Sequence, residues 1–141
     1  MKKLRIATMV TGHFTTPPPP GIIYAPMDIA VAISEGLTRR GHEVTFFAPK
    51  GSQMKVSEIR TCGLDALQQN KELSILKGSD VRNIEQAKIY NLWDQFLLSA
   101  MYKEALKGKF DIIHIHPVDR ALPLAYAIQN IPTVYTLHDP I

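Results

Sequence analysis

Histidine is the residue type whose number and spacing in this sequence point most directly to chemistry. Four of the five histidines (His13, His114, His116 and His138) lie at or near the end of an apolar segment of strand length, and Asp139 follows His138 directly. An imidazole changes charge close to neutral pH, so it can move a proton, bind a metal or hydrogen-bond a ligand. Clustering of such groups at strand ends indicates a binding or catalytic site.

Apolar segments of strand length alternate with helical patterns along the chain. The predicted strands span residues 4–10, 42–48, 56–61, 110–115 and 133–137, and the predicted helices span 27–40, 84–106 and 121–129. Continuous apolar runs are typical of parallel strands that are buried on both faces. The alternation predicts an α/β fold of Rossmann type, with an open parallel sheet in the order 3-2-1-4-5 and helices on both faces. At 141 residues, the chain has the length of a single domain.

The predicted strand order also locates a binding site. In an open parallel sheet, ligands bind beyond the carboxyl ends of the strands, where the strand order reverses. That point lies between the first and fourth strands, where the loops 11–25 and 117–120 meet the end of the fifth strand. The candidate site residues in these places are Gly12, His13, Gly21, Tyr24, His116, Asp119, Arg120, His138 and Asp139.

Each histidine also has a purely structural interpretation. His114 and His116 are two residues apart on a strand, so their side chains face the same side. His114 lies within an apolar run, where a core histidine is the expected role. His116 sits at the edge of that run and fits either role. His138 is the strongest functional candidate, although His138 and Asp139 together also suit the stabilisation of a turn.

Several function classes find no support. The sequence lacks both G-x-G-x-x-G and G-x-x-x-x-G-K-[ST], which argues against NAD-type and P-loop phosphate binding. A net charge of +3 from scattered basic residues does not indicate a nucleic-acid partner. Tyr90, Trp93 and Phe96 form a helical stripe, which we interpret as core or helix packing and not as a platform for stacking bases.

The compartment follows from two further observations. Cys62 is the one cysteine, which excludes an internal disulfide and suits a reducing environment. No stretch approaches the ~20 apolar residues that span a bilayer, and the N-terminal apolar run is too short for a secretory signal. We therefore expect a cytoplasmic protein, for which membrane association is possible but not indicated.

Three segments, in the right order, resemble glycosyltransferases of family 4, which are retaining enzymes of the GT-B fold. Residues 36–48 (GLTRRGHEVTFFA) look like the end of that family's first helix and its second strand. Residues 110–116 (FDIIHIH) are similar to its fourth strand, and residues 132–139 (PTVYTLHD) resemble its fifth strand. The resemblance spans nearly the whole chain.

The resemblance implies that residues 1–141 are the N-terminal, acceptor-side half of a GT-B enzyme. The second domain of that family, which binds the nucleotide-sugar donor, has no counterpart here, so this piece alone is expected to be inactive. His138 matches the family histidine that faces the donor sugar and is the catalytic candidate, and His116 matches a histidine beside the acceptor. Transfer in the family is metal-independent, which implies no metal and no cofactor besides the nucleotide-sugar cosubstrate.

The expected partners follow from the same resemblance. They are a sugar acceptor, either a small molecule or a glycan or lipid, and a C-terminal domain or partner chain that binds the donor.

The first loop departs from the family pattern P-P-x-x-Y-G-G-x-E. Residues 19–28 keep Tyr24 but carry Ala25 and Pro26 in place of the paired glycines, and Asp28 in place of the glutamate. Glycines at a helix N-terminus let backbone amides approach a phosphate or sugar, and proline has no amide hydrogen to donate. The departure indicates a different substrate or a loss of activity.

Two other functions remain open at this stage. His114, His116, His138 and Asp139 at adjacent strand ends are residue types that bind zinc or manganese, as in a metal-dependent hydrolase. Alternatively, the chain is a non-catalytic subunit that pairs with a separate donor-binding chain. The altered residues Ala25 and Pro26 favour this alternative slightly.

Overall fold

The structure is a computed structural model that describes residues 2–70 and 82–138. Five strands form one sheet: β1 (Arg5–Met9), β2 (Glu43–Phe47), β3 (Glu58–Arg60), β4 (Ile112–Ile115) and β5 (Thr133–Tyr135). The sheet order is β3-β2-β1-β4-β5, and all four pairings are parallel. In the central register, Ile6 lies between Val44 and Ile112. The predicted Rossmann-like sheet and its strand order are confirmed.

Helices cover both faces of the sheet, as predicted. They are α1 (Ala25–Arg39), α2 (Arg82–Ala105) and α3 (Val118–Ala127), and a short 3-10 helix spans Leu67–Gln69. One core cluster joins strand residues such as Met9 and Ile113 to Leu97 of α2 and Ala121 of α3. On the other face, Val10 and Phe46 pack with Met27 and Ala30 of α1. Alternate residues of each strand therefore bury their side chains against different helices.

Helix α1 begins two residues and ends one residue before its predicted bounds of 27–40, and sequence signals mark both of its ends. Pro26 occupies the first turn, where the missing amide hydrogen costs no intrahelical hydrogen bond. After the last turn, Gly41 adopts a φ of 89°, which glycine reaches without steric cost. This termination turns the chain directly into β2.

Helix α2 corrects the predicted aromatic stripe. Tyr90 and Phe96 are exposed by 39% and 46%, and Leu92 by 64%, so they are not core residues. The buried face is formed instead by Asp94, Leu97, Leu98, Met101, Tyr102 and Ala105. Core packing is therefore wrong for Tyr90 and Phe96, because the buried face is rotated by about one residue and includes a carboxylate. Trp93 is half-buried and packs against Gly12.

Two other elements differ from their predicted bounds. Helix α3 begins at Val118, three residues before the prediction, because the chain turns into the helix directly after Pro117 at the end of β4. Strand β3 is only three residues long and lies at the edge of the sheet, where few neighbours extend it. Residues 71–81, part of the segment with the weakest sequence pattern, lie outside the described residues.

Candidate functional site

The imidazoles of His116 and His138 form a pair at the carboxyl edge of the sheet. Nδ1 of His116 lies 2.9 Å from Nε2 of His138, and the rings are stacked with an interplanar angle of 21°. One nitrogen donates and the other accepts, so the contact holds a single shared proton. His116 directly follows β4, and His138 lies just after β5. Because these strands are hydrogen-bonded neighbours, the sheet itself brings the two rings together.

His114 lies under this pair and has a structural role. Its ring centroid is 4.4 Å from that of His116, which confirms that both side chains face the same side. Nε2 of His114 makes a hydrogen bond of 2.7 Å with Oγ1 of Thr136. That bond ties β4 to the segment after β5 and satisfies a buried polar group, as expected for a core histidine.

Burial sets the protonation of these rings. Desolvation, together with the smaller effects of the neighbouring His114 and His138 rings, lowers the pKa of His116 to about 3. The pKa of His114 is also lowered, first by burial and then by His138. His116 is therefore neutral at physiological pH. Its Nε2 atom is buried and has no hydrogen-bond partner among the described residues.

A cavity of about 330 Å³ opens beside the histidine pair. Its polar wall consists of Tyr24, His116, Asp119, Arg120 and His138, all of which are predicted site residues. Its apolar wall includes Val10, Pro26, Val118, Leu122 and Leu137. The cavity lies between the ends of β1 and β4, which is the predicted switch point of the sheet.

Three predicted site residues lie elsewhere. Gly12 packs against Trp93 of α2, and the His13 ring contacts that of Tyr90 at a centroid distance of 4.5 Å and an angle of 37°. Gly21 lies in an exposed turn with a φ of 86°. None of the three lines the cavity. The remaining predicted site residue, Asp139, lies outside the described residues.

Asp94 is the functional candidate that the sequence reasoning missed. Its side chain is fully buried, yet it contacts both the loop after β1 and Arg120 in the cavity wall. The available signal was its helical register: Asp94 shares a face with Leu97, Leu98 and Met101. A carboxylate on an otherwise apolar face predicts a buried partner.

The histidines do not form a metal centre in the part of the chain that the structure describes, where no group of three His, Cys, Asp or Glu side chains has suitable geometry. His116 and His138 direct one nitrogen each toward the other, and His114 bonds to Thr136. Nothing in this geometry favours the metal-dependent hydrolase. Among residues 2–70 and 82–138, no helix is both long and apolar enough to cross a bilayer.

The fold is that of a Rossmann-like domain, and its cavity lies at the switch point of the sheet. The family model described as Glycosyltransferase Family 4 matches residues 29–141. The chain therefore belongs to glycosyltransferase family 4, as the three sequence segments predicted. The search of curated proteins finds no match.

Proposed function

We propose that this chain is the acceptor-side domain of a cytoplasmic GT-B enzyme that transfers a sugar from a nucleotide-sugar donor with retention of configuration. The observation that carries the proposal is the contact between His116 and His138 in the wall of a cavity at the switch point. Membership of glycosyltransferase family 4 supports transfer chemistry in general. The acceptor is a sugar-bearing small molecule, glycan or lipid.

In this proposal, His138 contacts the sugar that is transferred, and His116 positions His138. Nε2 of His138 is occupied by His116, which leaves Nδ1 for an oxygen of the ligand. His116 is buried and neutral, so it holds the partner ring without adding a charge to the cavity. An imidazole held in a fixed position can donate a hydrogen bond to a sugar hydroxyl or accept one from it.

The acceptor binds between the first loop and α3. Tyr24 and Pro26 form one wall of the cavity, and Asp119 and Arg120 form the other. At the N-terminus of α1, Pro26 has no amide hydrogen and Asp28 adds an acidic group in the first turn. Both features disfavour a phosphate at this helix end. The part of the acceptor that meets α1 is therefore uncharged.

The donor nucleotide is bound mainly by a second domain or a partner chain. Under this proposal, residues 1–141 alone do not catalyse transfer, and the nucleotide sugar is the cosubstrate without a bound metal. Mixing the chain with the donor-binding domain is expected to restore transfer. Two results would count against this division of roles. One is activity of the isolated chain toward a nucleotide sugar, and the other is a loss of the mixture's activity on treatment with a chelator.

The experiment that tests the site uses the form of the protein that includes the donor-binding part. Nucleotide sugars are screened with monosaccharide, glycan and lipid acceptors, and the rate of His138→Ala is compared with that of the unchanged protein. A loss of at least about tenfold is expected, because a hydrogen bond to the transferring sugar is removed. Val134→Ala is the matched control, since Val134 is exposed on β5, four residues before His138. If His138→Ala keeps its rate within about twofold, the assigned role is wrong.

A further inference from the structure

We propose that Asp94 is a positioning residue of this site, a buried carboxylate that fixes Arg120 at the cavity wall and the first loop through Gly12. This role rests on the proposed function, since the placement of Arg120 matters for activity only if the cavity holds the acceptor. The arrangement itself is independent of the ligand. It joins three segments that are distant in sequence: the end of β1, the middle of α2 and the first turn of α3.

One carboxylate oxygen of Asp94 holds the loop after β1. The backbone amide of Gly12 donates a hydrogen bond of 2.7 Å to Oδ1, and the hydroxyl of Thr11 donates to the same atom at 3.1 Å. The hydroxyl oxygen of Thr11 in turn accepts a hydrogen bond from the amide of His13. The first residues of the loop are thereby anchored to α2.

The other carboxylate oxygen faces positive charge. Oδ2 of Asp94 lies 3.0 Å from Nη1 of Arg120 and 3.6 Å from Nε2 of His13. Among the described residues, Oδ2 accepts no hydrogen bond of good geometry, so its interaction with Arg120 is an ion pair. The Asp94 side chain is fully buried and that of Arg120 is 26% exposed, so this pair is screened less than a surface pair. It therefore constrains the guanidinium strongly.

Helix α2 holds Arg120 at two further points. Nε of Arg120 donates a hydrogen bond of 2.8 Å to Oδ1 of Asn91. The side-chain amide of Gln95 donates a hydrogen bond of 2.5 Å to the backbone oxygen of Arg120. Nε and Nη1 are thus both engaged, whereas Nη2 has no partner among the described residues. Since Arg120 lines the cavity beside His116 and His138, its remaining donor is held ready for a ligand oxygen.

A purely structural role explains Asp94 less well. Its helical face is otherwise formed by Leu97, Leu98 and Met101, so an apolar residue would suit the packing. Burial raises the pKa of Asp94, while the His13 ring, the Gly12 amide, the Arg120 guanidinium and the Thr11 hydroxyl lower it. A buried charge with this many directed partners contributes more to a defined geometry than to the stability of the fold.

The test compares Asp94→Asn, Arg120→Gln and the double variant. Asparagine retains an oxygen for Gly12 and Thr11 but loses the charge that holds Arg120. In the NMR spectrum of the ligand-free chain, the Arg120 Nε–Hε signal is expected to shift or broaden in Asp94→Asn. In the active form, acceptor KM is expected to rise about tenfold with kcat nearly unchanged, and the double variant is expected to match Arg120→Gln.

The matched control is Asp65→Asn. Asp65 forms an ion pair with Lys50 at 2.9 Å but is exposed, so its loss is expected to change neither the Arg120 signal nor KM. If Asp94→Asn does not fold, Asn91→Ala loosens Arg120 without disturbing the buried carboxylate and is expected to raise KM in the same way. Two results would overturn the proposal. One is a rise in KM in the double variant that equals the product of the rises in Asp94→Asn and Arg120→Gln. The other is an unchanged Arg120 NMR signal in Asp94→Asn or Asn91→Ala. If no form transfers sugar, the proposed function fails, and the Arg120 signal still decides the role of Asp94.

Discussion

Gly12 lies directly against the backbone of Trp93. A β-carbon built at position 12 would be 3.1 Å from the carbonyl oxygen of Trp93 and 3.3 Å from its Cβ. The same glycine donates its amide to Asp94 one residue further along the helix. The end of β1 is therefore in close contact with α2, and this contact requires a residue without a side chain.

The substitution Gly12→Ala is expected to destabilise the protein. The added methyl group meets helix backbone, which cannot rotate away, and overpacking of this kind costs about 1–3 kcal/mol. The measurement is the free energy of unfolding in urea. The matched control is Gly36→Ala in the interior of α1, where the nearest atom is the flexible end of Arg39 at 3.7 Å. There the change is expected to stabilise the protein by about 0.5–1 kcal/mol. Equal effects of the two substitutions would refute the close contact between Gly12 and Trp93.

The buried state of His116 makes stability depend on pH. Its pKa is lowered from 6.5 to about 3 in the folded protein, so between these values the unfolded chain binds more protons than the folded one. The contribution of neutral His116 to the free energy of unfolding is therefore fully present above pH 6.5. It decreases as the pH falls toward 3, by up to about 1.4 kcal/mol per pH unit for one proton. His114, whose pKa is also lowered, adds to the loss in the same direction.

The variant His116→Gln isolates this contribution. Glutamine does not titrate, so the slope of unfolding free energy against pH between 6.5 and 4 is expected to be smaller than in the unchanged protein. Its stability at pH 7.5 is expected to be lower, because the contact with His138 is altered. Parallel pH profiles for the two proteins would show that His116 is not held neutral by burial.

The hydrogen bond between His114 and Thr136 is expected to stabilise the end of β5. Thr136→Val keeps the shape of the side chain but leaves Nε2 of His114 buried without this partner, at a cost of about 1–3 kcal/mol. The control is Thr15→Val, which removes a hydrogen bond from the exposed Thr15 hydroxyl to the backbone oxygen of Pro17. Thermal unfolding compares the two. A larger loss for Thr15→Val would contradict the structural role of His114.

Two adjacent residues of α2 test which of its faces is buried. Leu97 is fully buried in the core that joins α2 to β1 and β4, whereas Phe96 is 46% exposed. Leu97→Ala is expected to cost about 2–5 kcal/mol, and Phe96→Ala far less, although phenylalanine is the larger residue. Chemical denaturation measures the free energy of unfolding of both variants. A larger loss for Phe96→Ala than for Leu97→Ala would show that the aromatic stripe is the inner face.

Most of the fold was predictable because it depends on local and periodic signals. The apolar runs around Ile6, Val44 and Ile113 are parallel strands, and the termination at Gly41 follows from backbone geometry. The right-handed connection of parallel strands then determines the sheet order. Tyr24, Arg120 and His138, which come from separate segments of the chain, line one cavity.

The parts that escaped prediction depend on contacts between distant segments. Asp94 and Gly12 are 82 residues apart, and no pattern within α2 shows that its carboxylate meets a backbone amide of another loop. His13 and Gly21 were chosen because they lie in the correct loop, but the His13 ring contacts Tyr90 of α2 and Gly21 lies in an exposed turn. Sequence position identifies a loop, whereas packing decides which of its residues face the cavity.

The histidine pair has a consequence for altering specificity. His116 directly follows β4 and His138 lies three residues beyond β5, and the hydrogen bond that holds the two rings together involves no residue of the first loop. Of the segment 13–24, Tyr24 lines the cavity, whereas His13 and Gly21 do not. Exchange of this segment is therefore expected to change the cavity wall at Tyr24 while the two imidazoles keep their alignment.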